Sequence, residues 1–143
     1  MRLVDVNVLV YAHRLDTLRH HDYADWLHGL IADQEPYGIS DLVLSGFLRV
    51  VTNPRVFKHP TPLETALAFT EVLRTQPNCV PIAPGQRHWE IFTRLCRTAD
   101  VKGNLVADAY LAALAIESGS EWITTDRDYS RFPGLRWRHP LDG

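Results

Sequence analysis

The alternation of short apolar segments with longer amphipathic ones along the chain constrains the fold most. The short segments predict strands, and the longer ones, whose apolar residues recur at helical spacing, predict helices. The predicted strands are 3–6, 37–40, 80–83, 122–125 and, at an edge, 136–138. The predicted helices are 20–31, 41–52, 63–74, 87–97 and 105–117. Short connections between them predict an α/β fold with a mainly parallel central sheet covered on both faces.

Capping residues predict where several helices begin. Asp16 and Thr17 offer helix-start chemistry before the helix at 20–31. Pro62 suits the first turn of the helix at 63–74. Asn104 is a favourable N-cap for the helix at 105–117, and Gly119 ends that helix.

Composition places the chain among ordinary globular proteins. With 143 residues, 45% hydrophobic and 22% charged, it has about the length of one domain, so we expect residues 1–143 to form a single domain. No apolar stretch approaches the ~20 residues of a membrane helix, and no secretion signal is evident. Cys79 and Cys96 are too few for a disulfide framework, which favours reduced core thiols and a cytoplasmic location. The net charge of −2 argues against a simple cationic nucleic-acid binder.

Three aspartates stand where an open parallel sheet places functional residues, at the carboxyl ends of its strands. Asp5 lies near the end of the first strand, Asp126 follows the strand at 122–125, and Asp108 lies one turn into the helix at 105–117. That helix is apolar nearly all round, and no basic residue within it could pair with Asp108. A buried carboxylate needs a cation or several donors. Together the three acids indicate a site for Mg²⁺ or Mn²⁺, which prefer oxygen ligands.

Each acid has an ordinary structural alternative. Asp5 could cap a helix that starts near Asn7, Asp126 and Asp128 could form a turn or an N-cap, and Asp108 could pair with a distant arginine. Thr124 could be a strand residue or could hold a carboxylate through its hydroxyl. The seven histidines form no ligand pattern and are expected at the surface, and the four tryptophans are expected to pack rather than stack on bases.

Four sequence motifs resemble those of the PIN-domain ribonucleases, and more narrowly the VapC toxins of bacterial type II toxin–antitoxin modules. The motifs occur in family order and spacing over essentially the whole chain. They are Asp5-Val6-Asn7-Val8-Leu9, Phe47-Leu48-Arg49-Val50-Val51-Thr52-Asn53-Pro54-Arg55-Val56-Phe57, Asp108-Ala109-Tyr110-Leu111-Ala112-Ala113-Leu114-Ala115 and Thr124-Thr125-Asp126-Arg127-Asp128-Tyr129.

The resemblance implies a PIN-like α/β/α sandwich and Mg²⁺- or Mn²⁺-dependent endonucleolytic cleavage of RNA by metal-activated water. Asp5, Asp108 and Asp126 match the first, third and fourth family acids and are the implied metal ligands. Asp128 matches a further acid beside the fourth, and Thr124 matches the hydroxyl of the family's Thr-x-Asp signature.

One position departs from the family pattern. The family's second acid is usually a Glu six residues after the Ser that ends the second strand, and here that count from Ser40 reaches Gly46. Asp41 is the nearest acid and could reach the site by another path, or could belong to the helix start beside Ser40. A PIN-fold module that binds RNA or protein without catalysis is therefore the main alternative. A small-molecule phosphohydrolase and a purely structural protein are the others.

The substrate and partners also follow from the resemblance. It implies an RNA substrate (transfer RNA, a ribosomal loop or messenger RNA), a VapB-type antitoxin whose tail lies across the acidic site, and a toxin homodimer within a toxin–antitoxin hetero-oligomer. Two groups of cations could contact RNA phosphates. One group is Arg49, Arg55 and Lys58, and the other is Arg127, Arg131, Arg136 and Arg138.

Overall fold

The computed structural model describes residues 1–142 and contains a five-stranded sheet. Its strands are β1 (Arg2–Val4), β2 (Tyr37–Ile39), β3 (Cys79–Pro81), β4 (Glu121–Ile123) and β5 (Trp137–Arg138). The strand order is β3-β2-β1-β4-β5, and every pairing is parallel. The central position of β1 brings its carboxyl end next to those of β2 and β4.

Within residues 1–142, six α-helices and one short 3-10 helix accompany the strands. They are α1 (Val6–His13), α2 (His20–Ala32), α3 (Asp41–Val51), α4 (Leu63–Arg74), α5 (His88–Thr98), α6 (Asn104–Glu117) and the 3-10 helix Arg127–Arg131. Helix α1 packs against α2 and α3, while α5 packs against α6. No helix within residues 1–142 has the length and apolar character needed to cross a membrane.

Both faces of the sheet are covered, as predicted. Successive strand residues point to opposite faces, and Leu3 and Val4 of β1 are both fully buried. Trp122 and Ile123 of β4 are fully buried as well. The hydrophobic core therefore lies on both sides of the central strands and holds the carboxyl edge of the sheet in position.

The predicted helix starts were wrong at two positions. Helix α2 begins after Arg19, which has a φ of +58°, and no side chain caps it. The Asp16 side chain instead pairs with Arg14 at 2.7 Å. Helix α6 includes Asn104, and its N-cap is Gly103, again without a side-chain cap. In both places the backbone conformation of the preceding residue, rather than a capping side chain, starts the helix.

Two aromatic expectations need correction. The His88 side chain is buried rather than at the surface, and its Nε2 lies 3.0 Å from the carbonyl oxygen of Tyr110. Trp89 is 67% exposed rather than packed. Both residues belong to the first turn of α5. His88 lies on the face that α6 covers, and Trp89 lies on the face that points outward. Cys79 and Cys96 are free thiols that pack against the core, as expected.

Candidate active site

The register of β1 against β4 brings the first predicted acid to the predicted hydroxyl. Val4 pairs with Ile123, so Asp5 and Thr124 follow side by side at the carboxyl edge of the sheet. The Thr124 hydroxyl donates a 2.7 Å hydrogen bond to Oδ2 of Asp5. The other carboxylate oxygen of Asp5 accepts from the backbone N–H of Val6 at 2.7 Å, so Asp5 also caps α1.

Asn7 joins the two chain segments that form this edge, a role the sequence reasoning did not assign. Its side-chain amide donates to Oδ2 of Asp5 at 3.1 Å and approaches the Thr124 hydroxyl at 3.3 Å. Its Oδ1 accepts from the backbone N–H of Thr125 at 3.1 Å. The turn after β1 and the turn after β4 are therefore held together by one amide.

Asp126 and Asp128 occupy the turn that follows β4. The backbone N–H of Asp126 donates to the Thr124 hydroxyl at 3.0 Å, which ties this turn to Asp5. Oδ1 of Asp126 accepts from the backbone N–H of Asp128 at 2.9 Å and caps the 3-10 helix. The capping role is thus confirmed for Asp126. Asp128 is exposed and lies 3.8 Å from Arg131.

Asp108 approaches the centre from the first turns of α6. It is half-buried, less than the apolar sequence of the helix predicted, because Val106 and Ala107 beside it face outward. The hydroxyl of Tyr129, a 2% exposed residue of the 3-10 helix, donates to Oδ1 of Asp108 at 3.3 Å. Sequence reasoning missed Tyr129, although it closes the motif that contains Asp126.

The electrostatics of these groups identify an anionic centre. Burial raises the pKa of the Asp5 carboxyl to about 6, against the lowering effect of its hydrogen bonds, and the charges of Asp108 and Asp126 raise it further. Burial also raises the pKa of Asp108. Burial, followed by the charges of Asp5 and Asp108, raises the pKa of the Tyr129 hydroxyl well above its usual range. Within residues 1–142 none of the three carboxylates has an ion-pair partner.

The donor chemistry fits a hard divalent cation. Carboxylate oxygens are preferred ligands of Mg²⁺ and Mn²⁺, and Asp5 is a buried anion bonded only to neutral donors. In the described part of the chain, no three His, Cys, Asp or Glu side chains converge as a ready-made ligand group. Asp5, Asp108 and Asp126 therefore influence one another electrostatically without sharing a single closed cage.

The structure places Asp41 away from this centre. Its carboxylate lies 3.3 Å from Nε of Arg74, at the end of α4, and its side chain is 78% exposed. Ser40, not Asp41, is the N-cap of α3. Asp41 is therefore the first residue of α3 and forms a surface ion pair, which agrees with the structural alternative rather than with a role in the site.

Gly46 lies against the start of α1. A Cβ added at Gly46 would lie 2.9 Å from Cγ2 of Val6, closer than carbon atoms normally approach. Helix α3 therefore packs on α1 through a contact that leaves no space for a side chain unless Val6 shifts. The wall of the site at this position is apolar and carries no acid.

The predicted cations are dispersed. Arg49 is exposed on α3, and Arg55 and Lys58 follow that helix. Because α3 starts at the carboxyl end of β2 and its 11 residues span about 16 Å, Arg55 and Lys58 lie beyond its far end. Arg131 is the cation whose charge acts on Asp108.

The other three arginines of the second group turn away from the acids. Arg127 lies 3.4 Å from Asp142. Arg138 pairs with Glu121, the first residue of β4, at 2.9 Å, and Arg136 donates to the carbonyl oxygen of Gly119. The side chains of Arg136 and Arg138 therefore lie towards the amino edge of the sheet, although the backbone of Arg138 pairs with Ile123 at the other end of β4, and their predicted contact with the acidic site was wrong.

Comparisons with known proteins agree with the predicted resemblance. A sequence model of the PIN domain matches residues 2–135. The sequence is 50% identical over 143 residues to the ribonuclease VapC43 of Mycobacterium tuberculosis, which covers 100% of this chain and 97% of that protein. It is 41% identical over 140 residues to the ribonuclease VapC25 of the same organism, with 98% and 99% covered.

A solved structure shares the fold. The VapBC2 complex from Rickettsia felis, bound to a DNA fragment from its promoter, contains a chain that aligns with a TM-score of 0.68. The sequence identity is 18%, and the alignment covers 96% of this chain and 97% of that one. At this identity the likeness bears on the fold, which is the predicted α/β arrangement around a parallel sheet.

Proposed function

The chain belongs to the PIN-domain family, among the VapC ribonucleases, and from this premise we propose that it is a toxin that hydrolyses RNA with the help of Mg²⁺ or Mn²⁺. The observation that carries the proposal is the anionic centre at the carboxyl ends of β1 and β4. There the charges of Asp5, Asp108 and Asp126 all raise the pKa of the Tyr129 hydroxyl, and within residues 1–142 none of the three acids has an ion-pair partner.

In this proposal, Asp5 and Asp108 hold the metal ion, and Asp126 and Asp128 contribute from the turn after β4. A bound divalent ion would lower the pKa of water and neutralise charge that develops on the phosphodiester. Thr124 orients the Asp5 carboxylate through the 2.7 Å hydrogen bond between them.

The remaining polar residues of the centre position these acids. Asn7 fixes the turns that carry Asp5 and Asp126 relative to each other. Tyr129 positions Asp108 by donating a hydrogen bond to its Oδ1. Arg131, which lies 3.8 Å from the Asp128 carboxylate and whose charge lowers the pKa of Asp108, is the cation that we propose contacts a phosphate.

The partners follow from the family. We propose a VapB-type antitoxin that covers the acidic centre with a flexible tail, a toxin homodimer, and a cytoplasmic location for the hetero-oligomer. The solved complex from Rickettsia felis, in which toxin and antitoxin chains occur together, supports this assignment. We further propose that residues 1–143 act as one PIN domain, since the family match spans residues 2–135.

A catalytically impaired PIN-fold binding module is the second candidate, and Gly46 is the observation that favours it. The family's second acid falls on this position, which is a glycine, and a Cβ added there would lie only 2.9 Å from Cγ2 of Val6. Asp41 does not take its place, because it pairs with Arg74. This candidate predicts RNA binding without turnover.

Cleavage of total cellular RNA separates the two candidates. Purified protein free of antitoxin is incubated with Mg²⁺, Mn²⁺ or EDTA, alongside Asp108→Asn and the matched control Asp25→Asn, an exposed acid of α2. The proposal expects discrete fragments that require metal and a rate loss of about 100-fold or more in Asp108→Asn, similar to the effect of misplacing a reacting group. Asp25→Asn should cleave as the natural protein does. Absence of cleavage with both metals would favour the binding module.

A further inference from the structure

A groove of about 680 Å³ opens beside the acidic centre, between α3, α5 and α6. It is adjacent to the acids, since Val6 directly follows Asp5 and Ala107 directly precedes Asp108, and both line it. Its surface is mainly apolar. The residues that matter most for its chemistry are Val6, Gly46, Arg49, Phe92, Tyr110 and Leu111.

The apolar character of this groove follows from the close contact between Val6 and Gly46. Residue 46 is a glycine packed against Val6, where an added Cβ would lie 2.9 Å from Cγ2 of Val6, so an aliphatic wall stands where the family's second carboxylate is expected. An RNA strand that places its phosphodiester on Asp5 and Asp108 must send a neighbouring nucleotide across one side of these acids. On this side the surface formed by Val6 and Gly46 offers no charged group and suits an apolar face.

Two aromatic rings and one guanidinium give the groove its selectivity. Tyr110 is half-buried, and its ring meets Phe92 edge to face, with 5.4 Å between the centroids. Unpaired bases in RNA complexes stack on aromatic side chains and on arginine planes. Arg49 is exposed at the groove and has no ion-pair partner within residues 1–142, so its charge is available to a phosphate.

We propose that this groove is a nucleobase subsite, in which one unpaired base next to the scissile phosphate lies against Tyr110 while Arg49 contacts the adjoining phosphate. The inference rests on the proposed function, because it takes RNA as the substrate of the acidic centre. RNA is favoured over an apolar protein segment because the groove is lined by the residues next to Asp5 and Asp108 and combines an aromatic surface with a cation, Arg49, that has no ion-pair partner within residues 1–142.

The test compares two probes by fluorescence anisotropy in EDTA, so that binding is read without cleavage. One probe is a short fluorescein-labelled single-stranded RNA of mixed sequence, and the other is an abasic ribose-phosphate strand of the same length. The natural protein should bind the base-bearing strand about 5- to 150-fold more tightly, the contribution expected of one stacked base. Equal affinities for the two strands would overturn the proposal.

Two variants assign the effect to the groove. Tyr110→Leu should lose the preference for bases and keep the affinity for the abasic strand, which also shows that the variant is folded. Tyr11→Leu, at a half-buried tyrosine of α1 outside the groove, should keep the preference.

Arg49→Gln should weaken the binding of both strands by the same factor and reduce the salt dependence of binding. Arg94→Gln, an exposed arginine of α5, is its control.

The other occupants of such a groove give different results. If Tyr110→Leu changes only the oligomeric state in sedimentation, or only the binding of an antitoxin peptide, the groove is a protein interface and the proposal fails. RNA cleavage by the natural protein with Mn²⁺ is measured separately. Cleavage without base preference overturns the subsite alone, whereas base preference without cleavage supports the subsite and refutes the proposed reaction.

Discussion

Replacing Asp5 with asparagine should stabilise the metal-free protein at neutral and alkaline pH. The Asp5 side chain is 5% exposed, and its pKa is raised from 3.8 to about 6, with burial as the largest cause. The folded protein therefore binds this proton more tightly than the unfolded chain does. The contribution of Asp5 to stability is therefore greatest below about pH 4, falls as the pH rises from about 4 to 6, and stays at the lower level above pH 6.

The size of the effect follows from the pKa difference. A difference of about two pH units corresponds to about 3 kcal/mol of lost stability above pH 6, at 1.36 kcal/mol per unit. The side-chain amide introduced by Asp5→Asn would carry no charge and could still cap α1, since asparagine and aspartate are equally good N-caps. It would give up the charge-assisted hydrogen bond from Thr124, which offsets part of the gain. We therefore expect a net stabilisation of about 1–2 kcal/mol at pH 8.

Thermal unfolding in EDTA between pH 4 and pH 8 measures this difference. Asp5→Asn should melt about 3–8 °C above the natural protein at pH 8, given about 3–4 °C per kcal/mol for a chain of this length, and the gap should close towards pH 4. Asp25→Asn, at an exposed acid that has no ion-pair partner within residues 1–142, should show no such trend. A lower melting temperature for Asp5→Asn at pH 8, or a gap independent of pH, would refute the reasoning.

Adding the metal should reverse the order of stability. An ion that binds only the folded protein stabilises it by RT ln(1 + [L]/Kd), about 2.7 kcal/mol at 100 times the dissociation constant. Mn²⁺ should therefore raise the melting temperature of the natural protein above that of Asp5→Asn. Equal shifts in both proteins would show that Asp5 is not a ligand.

Three further substitutions test contacts that organise the site. Thr124→Val removes the buried donor to Asp5 and should lower the free energy of unfolding by about 2 kcal/mol in urea at pH 7.5; a loss below about 0.5 kcal/mol would contradict the hydrogen bond. Gly46→Glu should lower the free energy of unfolding by about 1–3 kcal/mol because the Cβ of the new side chain would contact Val6, and adding Val6→Ala should recover most of this loss. An equal loss with and without Val6→Ala would exclude this contact as the cause. Arg14→Ala removes two hydrogen bonds to the loop after α3 and a cation–π contact with that loop, so it should lower the free energy of unfolding by about 2–3 kcal/mol. It should also increase proteolysis of the loop, and unchanged proteolysis would show that other contacts hold the loop in place.

The sequence predicted the order of the elements well because their patterns are strong. Helix 63–74 was predicted with the bounds that the structure shows, since periodic apolar residues follow a proline suited to its start. The region after β1 was harder. Asp5 is followed at once by α1, so the strand ends two residues earlier than its apolar run does. An unbroken apolar run cannot show where a buried strand gives way to a buried helix.

The site was predictable where it depends on strand ends and hidden where it depends on tertiary contacts. Asp5 and Thr124 meet because β1 and β4 are parallel neighbours in register. Tyr129 meets Asp108 across 21 residues, and no spacing rule predicts that contact. Asp41 has the right residue type at the right strand end, but its side chain turns outward to Arg74, which only the packing of α4 against α3 determines.

The two acids proposed as principal metal ligands are held with unequal rigidity. Asp5 is buried and bound by the hydroxyl of Thr124, the amide of Asn7 and one backbone N–H, all on strand-end turns. Asp108 has one long hydrogen bond, from Tyr129, and lies in the first turns of a helix that no side chain caps. Helix starts of this kind open at low free energy. We therefore expect a shared ion to leave the position of Asp5 unchanged and to slow amide hydrogen exchange at the start of α6, and equal exchange with and without Mn²⁺ would refute this expectation.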